Sequence, residues 1–187
     1  EDYLFKKEKN VSNNIESEIN DRKKNNIFKD QKDNYGYHPA FSSIIDTIKN
    51  EFKPEPCRDE SELQKILKAF LNVKFGDKKV EREVRTHIAP DIPEGKIDFL
   101  IDDKYVIELK LARDSHTLQG FLGQLLGYQK VYPQIAALLL FDNTKMTVGG
   151  VNHFVKEYSK QKISSIVVEG KITKRGKKKL TTYQDTD

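Results

Sequence analysis

The chain has 187 residues, 36% of them apolar and 33% charged, with a formal net charge of +4. This is enough apolar material for one core with appendages and too little for two, and so small a net charge favours an anionic partner only mildly. A single cysteine, Cys57, excludes an intramolecular disulfide and a cysteine-cluster zinc site and fits a reducing, cytoplasmic setting. No apolar run reaches transmembrane length and no signal peptide is visible, so no membrane partner is expected. The first residue is Glu1, not methionine, as in a processed chain or one cut from a longer protein.

Residues 1–39 read as a polar N-terminal arm, partly disordered. Positions 1–35 are rich in Asn, Lys, Glu and Asp and could not bury a core alone. Tyr35-Gly36-Tyr37-His38-Pro39 is a turn whose tyrosines either dock on the domain or stack on bases. Over 40–56 the period changes: Phe41, Ile44, Ile45, Ile48 and Phe52 predict an amphipathic helix over 40–52. Its stripe needs cover, from the main core or from a second subunit in a homo-oligomer. Lys53-Pro54-Glu55-Pro56 ends it as a stiff linker.

The main domain spans 57–170. A helix begins near Asp59, with Leu63, Ile66, Leu67, Phe70 and Leu71 as its stripe. Asp59 and Glu62 have the spacing of a capping box. Glu60 lies nearer the centre of the stripe and can reach into the domain, or only complement the helix dipole. Which of Glu60 and Glu62 is a functional acid stays open at this point. After a turn at 76–79, Val80 to Ala89 alternates as a half-polar strand, at an edge or beside a site, with Glu83 as a candidate outer carboxylate. His87 is a lone histidine, more often structural than catalytic. A loop over 90–95 follows.

Gly95 to Lys110 reads as two apolar strands joined by a turn at Asp102-Asp103-Lys104. Side chains alternate along a strand, so Glu108 and Lys110 share a face, and the turn places Asp98 opposite Glu108 on that face. Two facing carboxylates repel unless a cation lies between them. An Asp, a Glu and a Lys on adjacent strands form a layout for Mg²⁺ held by carboxylates beside an ammonium that steers a water. The competing reading is a surface salt-bridge cluster, against which both faces of these strands are rich in apolar residues.

A further helix starts at 113–116, capped by Asp114 or Ser115, with Leu118, Phe121, Leu122, Leu125 and Leu126 as its stripe. Gly120, Gly123 and Gly127 are expected to permit close approach to the sheet. Gln124 and Tyr128, four apart, share a flank from which a polar group can reach the site. Ile135 to Phe141 predicts a buried parallel strand, Asn152 to Lys162 a helix and Ile163 to Glu169 a last strand. The fold class is therefore α/β, a mixed sheet flanked by helices. Residues 171–187 form a basic tail in which Lys174, Arg175, Lys177 and Lys178 attract phosphates, or are merely solvated.

With this order, the chain resembles the PD-(D/E)XK nuclease superfamily over about residues 59–142. Glu108-Leu109-Lys110 matches its E-x-K element and Asp98 its leading Asp. Glu60 or Glu62 matches the acid many members carry on the first helix, and Gln124 to Tyr128 its Q-x-x-x-Y pattern. Asp98 follows Ile97 and not proline. A literal Pro90-Asp91 lies in the loop, but the mid-strand position opposite Glu108 favours Asp98. The resemblance implies a restriction-endonuclease-like fold with an αβββαβ core. It also implies phosphodiester hydrolysis with Mg²⁺, for which Mn²⁺ can substitute. Asp98, Glu108 and the Leu109 carbonyl would hold the metal, and Lys110 would orient and help deprotonate the attacking water. Glu60 would hold a water or a second metal, Gln124 would order the ligands, and Tyr128 would touch the site or the nucleic-acid backbone. The expected activity is that of an endonuclease on nucleic acid, foremost DNA, in antiviral defence or repair. The alternatives are a non-catalytic nucleic-acid-binding module and an effector domain of a larger assembly.

Overall fold

The computed structural model describes residues 36–86 and 95–173. The arm before residue 36, His87, Asp91 and the tail positions Lys174, Arg175, Lys177 and Lys178 lie outside the described residues.

Among the described residues five strands form one mixed sheet: β1 (Val80–Thr86), β2 (Gly95–Ile101), β3 (Tyr105–Ala112), β4 (Ile135–Phe141) and β5 (Ser164–Glu169). Their spatial order follows the sequence, so β3 is central. β1 and β2, and β2 and β3, pair antiparallel, whereas β4 runs parallel to β3 and β5 parallel to β4. Helices α1 (Pro39–Glu51) and α2 (Glu60–Lys74) precede the sheet. α3 (Ser115–Gln129) and α4 (Val148–Lys160) make the two crossovers that parallel neighbours require. The protein is α/β, with a mixed sheet flanked by helices, in the order expected. Among the described residues no helix is long and apolar enough to cross a membrane.

Each helix starts at a side chain that accepts a hydrogen bond from an otherwise unpaired first-turn N–H. Asp59 accepts from Glu62 N at 3.0 Å, Asp114 from Thr117 N at 2.7 Å and Thr147 from Gly150 N at 3.1 Å. Asp114, and not Ser115, therefore caps α3. The Thr147 cap also starts α4 four residues earlier than its apolar pattern predicts, because the cap holds Gly149 and Gly150 in a first turn that propensity alone disfavours. The strand predicted over Val80 to Ala89 is present over Val80–Thr86, and its last three positions lie outside the described residues.

Alternation along the strands divides the core. Tyr105, Ile107, Leu109 and Leu111 of β3 join Ala136, Leu138 and Leu140 of β4 beneath α1 and α2. Residues of the other parity, such as Ile135, Ala137 and Leu139, are equally buried on the face where α3 and α4 sit. The α1 stripe of Phe41, Ile44, Ile45 and Ile48 lies inside this core, with Phe41 stacked on Tyr105 at 5.1 Å between centroids. Of the two covers the stripe could have, the core is the one it has. Tyr37 docks as one of its two readings had it: its hydroxyl donates to carbonyls of Ile135 and Lys162 and accepts from Ser164 N.

Two further expectations change. Gly120 and Gly123 face open space, so they do not bring α3 close to the sheet. Ile172, expected in the basic tail, belongs to the domain: it is buried and bridges Cys57 in parallel, and its N–H donates to Asp142 at 2.8 Å. The linker at 53–56 therefore leads straight into the body of the domain.

Two measurements check this arrangement. Ile45→Asp places an unpaired charge in the core and should destabilise the fold by about 3 kcal/mol or more, with no dependence on protein concentration; a folded variant of altered oligomeric state would contradict the intramolecular packing. Truncation after Gly170 should lower the melting temperature, because it removes the buried Ile172.

Candidate active site

The β2–β3 hairpin positions the central acids. Asp102 and Asp103 adopt φ of 51° and 59°, left-handed values that Asp tolerates in turns. The resulting three-residue turn pairs Ile101 with Tyr105 and Phe99 with Ile107. Continued one step, that register sets Asp98 opposite Glu108, as the sequence predicts. There the backbone ladder gives way to side chains. Asp98 N donates to Glu108 Oε1 at 2.9 Å, and Leu109 N donates to Asp98 Oδ2 at 2.8 Å. Each strand thus offers an amide to the other strand's carboxylate.

The remaining oxygens are held by two glutamines from different helices. Gln124 of α3 donates Nε2–H to Glu108 Oε2 at 3.0 Å, and Gln64 of α2 donates Nε2–H to Asp98 Oδ1 at 2.6 Å. Gln64 is a residue that sequence reading missed. It is buried, and its Oε1 has no partner among the described residues. The available signal was its spacing: Gln64 is four residues after Glu60 and so shares that helix face.

Glu108 is fully buried, and burial, reinforced by the Asp98 charge, pushes its carboxyl up to about 9. Burial also raises Asp98, against the opposing effects of the Leu109 N–H and the Gln64 amide. Glu60 separates from this pair. Its carboxylate lies 3.0 Å from Lys110 Nζ and accepts from Leu111 N at 3.4 Å. The Lys110 ammonium also lies 5.4 Å from the centroid of the Phe121 ring. Glu62 turns the other way, to the backbone N–H of Arg58 at 2.7 Å and to its guanidinium. Between the two helix acids, Glu60 is the one that reaches the E-x-K strand, and the capping box is only half formed.

Tyr128 does not present a surface for nucleic acid. It is buried, and its hydroxyl donates to the Lys96 carbonyl at 3.2 Å, which fixes the start of β2. Burial raises its phenol, with Glu108 the next cause. Glu83 is exposed and lies between the register pairs Arg82–Phe99 and Val84–Ile97, with φ of 55° in the edge strand. It makes no hydrogen bond or ion pair with the central acids among the described residues.

Among the described residues no group of three or more His, Cys, Asp and Glu side chains comes together as a metal site. The facing Asp98 and Glu108 carboxylates are nevertheless oxygen ligands of the kind Mg²⁺ takes, an ion that keeps several waters and few protein oxygens. Each carboxylate here uses two of about four acceptor positions. The chain matches no protein-family model, no curated protein and no solved structure.

The raised carboxyl makes a signed prediction. A folded value of about 9 against 4.5 for the free group means that the native state binds the extra proton between them. With divalent ions chelated, stability should be greatest below about pH 4.5 as far as this group is concerned, and should fall as pH rises towards 9. Glu108→Gln should flatten that slope in denaturant titrations and melt higher than the parent at pH 8. An unchanged slope would show that Glu108 is not protonated in the metal-free fold.

Proposed function

We propose that this chain is a metal-dependent nuclease, hydrolysing phosphodiester bonds on a restriction-endonuclease-like fold, with DNA as the foremost substrate and antiviral defence or repair as its setting. The reading rests on one observation: two carboxylates face each other at the centre of a sheet, one of them fully buried, with the Lys110 ammonium two residues along the same strand. An apolar sheet interior has no structural use for such a pair, which weakens the fold until a cation joins it.

Asp98, Glu108 and the Leu109 carbonyl would hold Mg²⁺, with Mn²⁺ as substitute. The ion, when bound, supplies Lewis-acid activation of water and of the phosphoryl group. The chain's own groups do the rest. Gln64 and Gln124 fix the planes of the two carboxylates, as outer partners of metal ligands do. Lys110 Nζ, held by Glu60 and lying over Phe121, is the group to orient the attacking water, accept its proton when unprotonated, or meet developing charge on the phosphorus oxygens when protonated.

A non-catalytic binding module is the second reading. It is favoured by the pairing of Glu60 with Lys110, which leaves Asp98 and Glu108 without a third acid among the described residues.

The test is cleavage of plasmid and of short duplex and single-stranded DNA and RNA with Mg²⁺, Mn²⁺ or chelator, alongside calorimetric metal titration. Asp98→Asn and Glu108→Gln should lose both metal binding and cleavage. Lys110→Ala should lose cleavage roughly 10²–10³-fold while still binding substrate. Asp91→Asn should behave as the parent. Cleavage by Asp98→Asn beside an inactive Asp91→Asn would move the site to the loop; metal-independent binding with no cleavage would favour the second reading.

A further inference from the structure

Lys96 stands two residues before Asp98 on the same face of β2, and its register partner on β1 is Arg85. Both side chains are exposed. Like charges placed directly opposite destabilise a strand pair, so this pair does not hold the sheet together. Neither residue has an ion pair or side-chain hydrogen bond among the described residues, although Glu83 is only two positions from Arg85. Other surface cations behave differently: Arg58, Lys74, Lys79 and Lys160 each reach a carboxylate.

The backbone beneath Lys96 is nonetheless firmly fixed. The buried Tyr128 hydroxyl donates to its carbonyl, and a Cβ at Gly95 would run into that same hydroxyl. Tyr128 and Gln124 belong to one helix, so α3 holds the start of β2 and the Glu108 carboxylate together. A repulsive pair of cations is thereby kept at a set position beside the acids.

We propose that Arg85 and Lys96 form a phosphate-binding subsite for a nucleic-acid strand, receiving the phosphodiester next to the one at Asp98 and Glu108. This rests on the nuclease reading above. Two strand residues span about 7 Å, comparable to one nucleotide step along an extended strand. The Arg85 fork and the Lys96 point charge are both suited to phosphate oxygens, and an anion between them relieves their mutual repulsion.

The experiment compares the full chain with Arg85→Glu and with the double variant Arg85→Ala, Lys96→Ala. Binding of short duplex and single-stranded DNA and RNA is measured in chelator across a salt series, with inorganic phosphate as competitor, and cleavage kinetics are measured with Mg²⁺. The double variant should reduce the logarithmic salt slope by about 2 for duplex, and raise KM with kcat retained. Arg85→Glu gives Lys96 a partner, so it should melt higher than the parent while binding more weakly, a combination that misfolding cannot produce. The DNA and RNA arms identify which polymer the subsite takes. Cleavage with unchanged KM and salt slope in the double variant removes the subsite and leaves the nuclease reading. A reduced slope with no cleavage by the parent keeps the subsite and removes the nuclease reading. No binding of any oligonucleotide by the parent removes both.

Discussion

The burial of one carboxylate, Glu108, in the central strand of the sheet is the constraint on which the rest of this structure depends. An ionised carboxylate there is costly, and the fold answers in two ways. It raises the group's proton affinity, and it supplies directed donors, the Asp98 N–H and the Gln124 amide. Both answers need β2 antiparallel beside β3 and a helix crossing directly after β3. The antiparallel hairpin lets the two strands exchange amides for carboxylates, and the parallel crossover carries Gln124 back over the same strand. The candidate site therefore lies where the sheet changes from antiparallel to parallel pairing.

The supporting shell comes from both sides of the sheet. α2 delivers Gln64 and Glu60 from consecutive turns, one to Asp98 and one to Lys110. α3 delivers Gln124 and, one turn on, Tyr128, which holds the backbone of Lys96. These helices are anchored by the buried apolar residues beside those groups, Leu63, Leu67 and Leu71 on one and Leu118, Phe121 and Leu125 on the other. The polar chemistry thus occupies the flanks of helices whose positions are set by apolar packing, an arrangement that fixes side chains better than loops do.

Charge around the site is uneven in an informative way. Lys110 has a carboxylate partner in Glu60, whereas Arg85 and Lys96 face each other without one among the described residues. The first arrangement suits a cation held for chemistry close to the acids. The second suits a cationic pair open to an external anion. Asp142 is a contrast: it too is buried, but its carboxylate takes Thr144 and the N–H of Ile172, and its role is to fasten the end of the domain to the sheet.

Element order, the hairpin turn, the facing of Asp98 and Glu108, and the α1 stripe were all legible in the sequence, because each depends on period and short-range register. Gln64 was not legible because a polar residue on a helix flank is significant only when another strand puts a carboxylate 2.6 Å away. The cover for Phe41 and Ile45, the choice of Glu60 over Glu62 and the inclusion of Ile172 in the core have the same origin. The sequence by itself determined which faces must be buried and which acids must meet across a hairpin, since those follow from local geometry. Only the tertiary structure decided what covers each face and which donor reaches each oxygen, because those partners lie far apart in the chain and are brought together by packing alone.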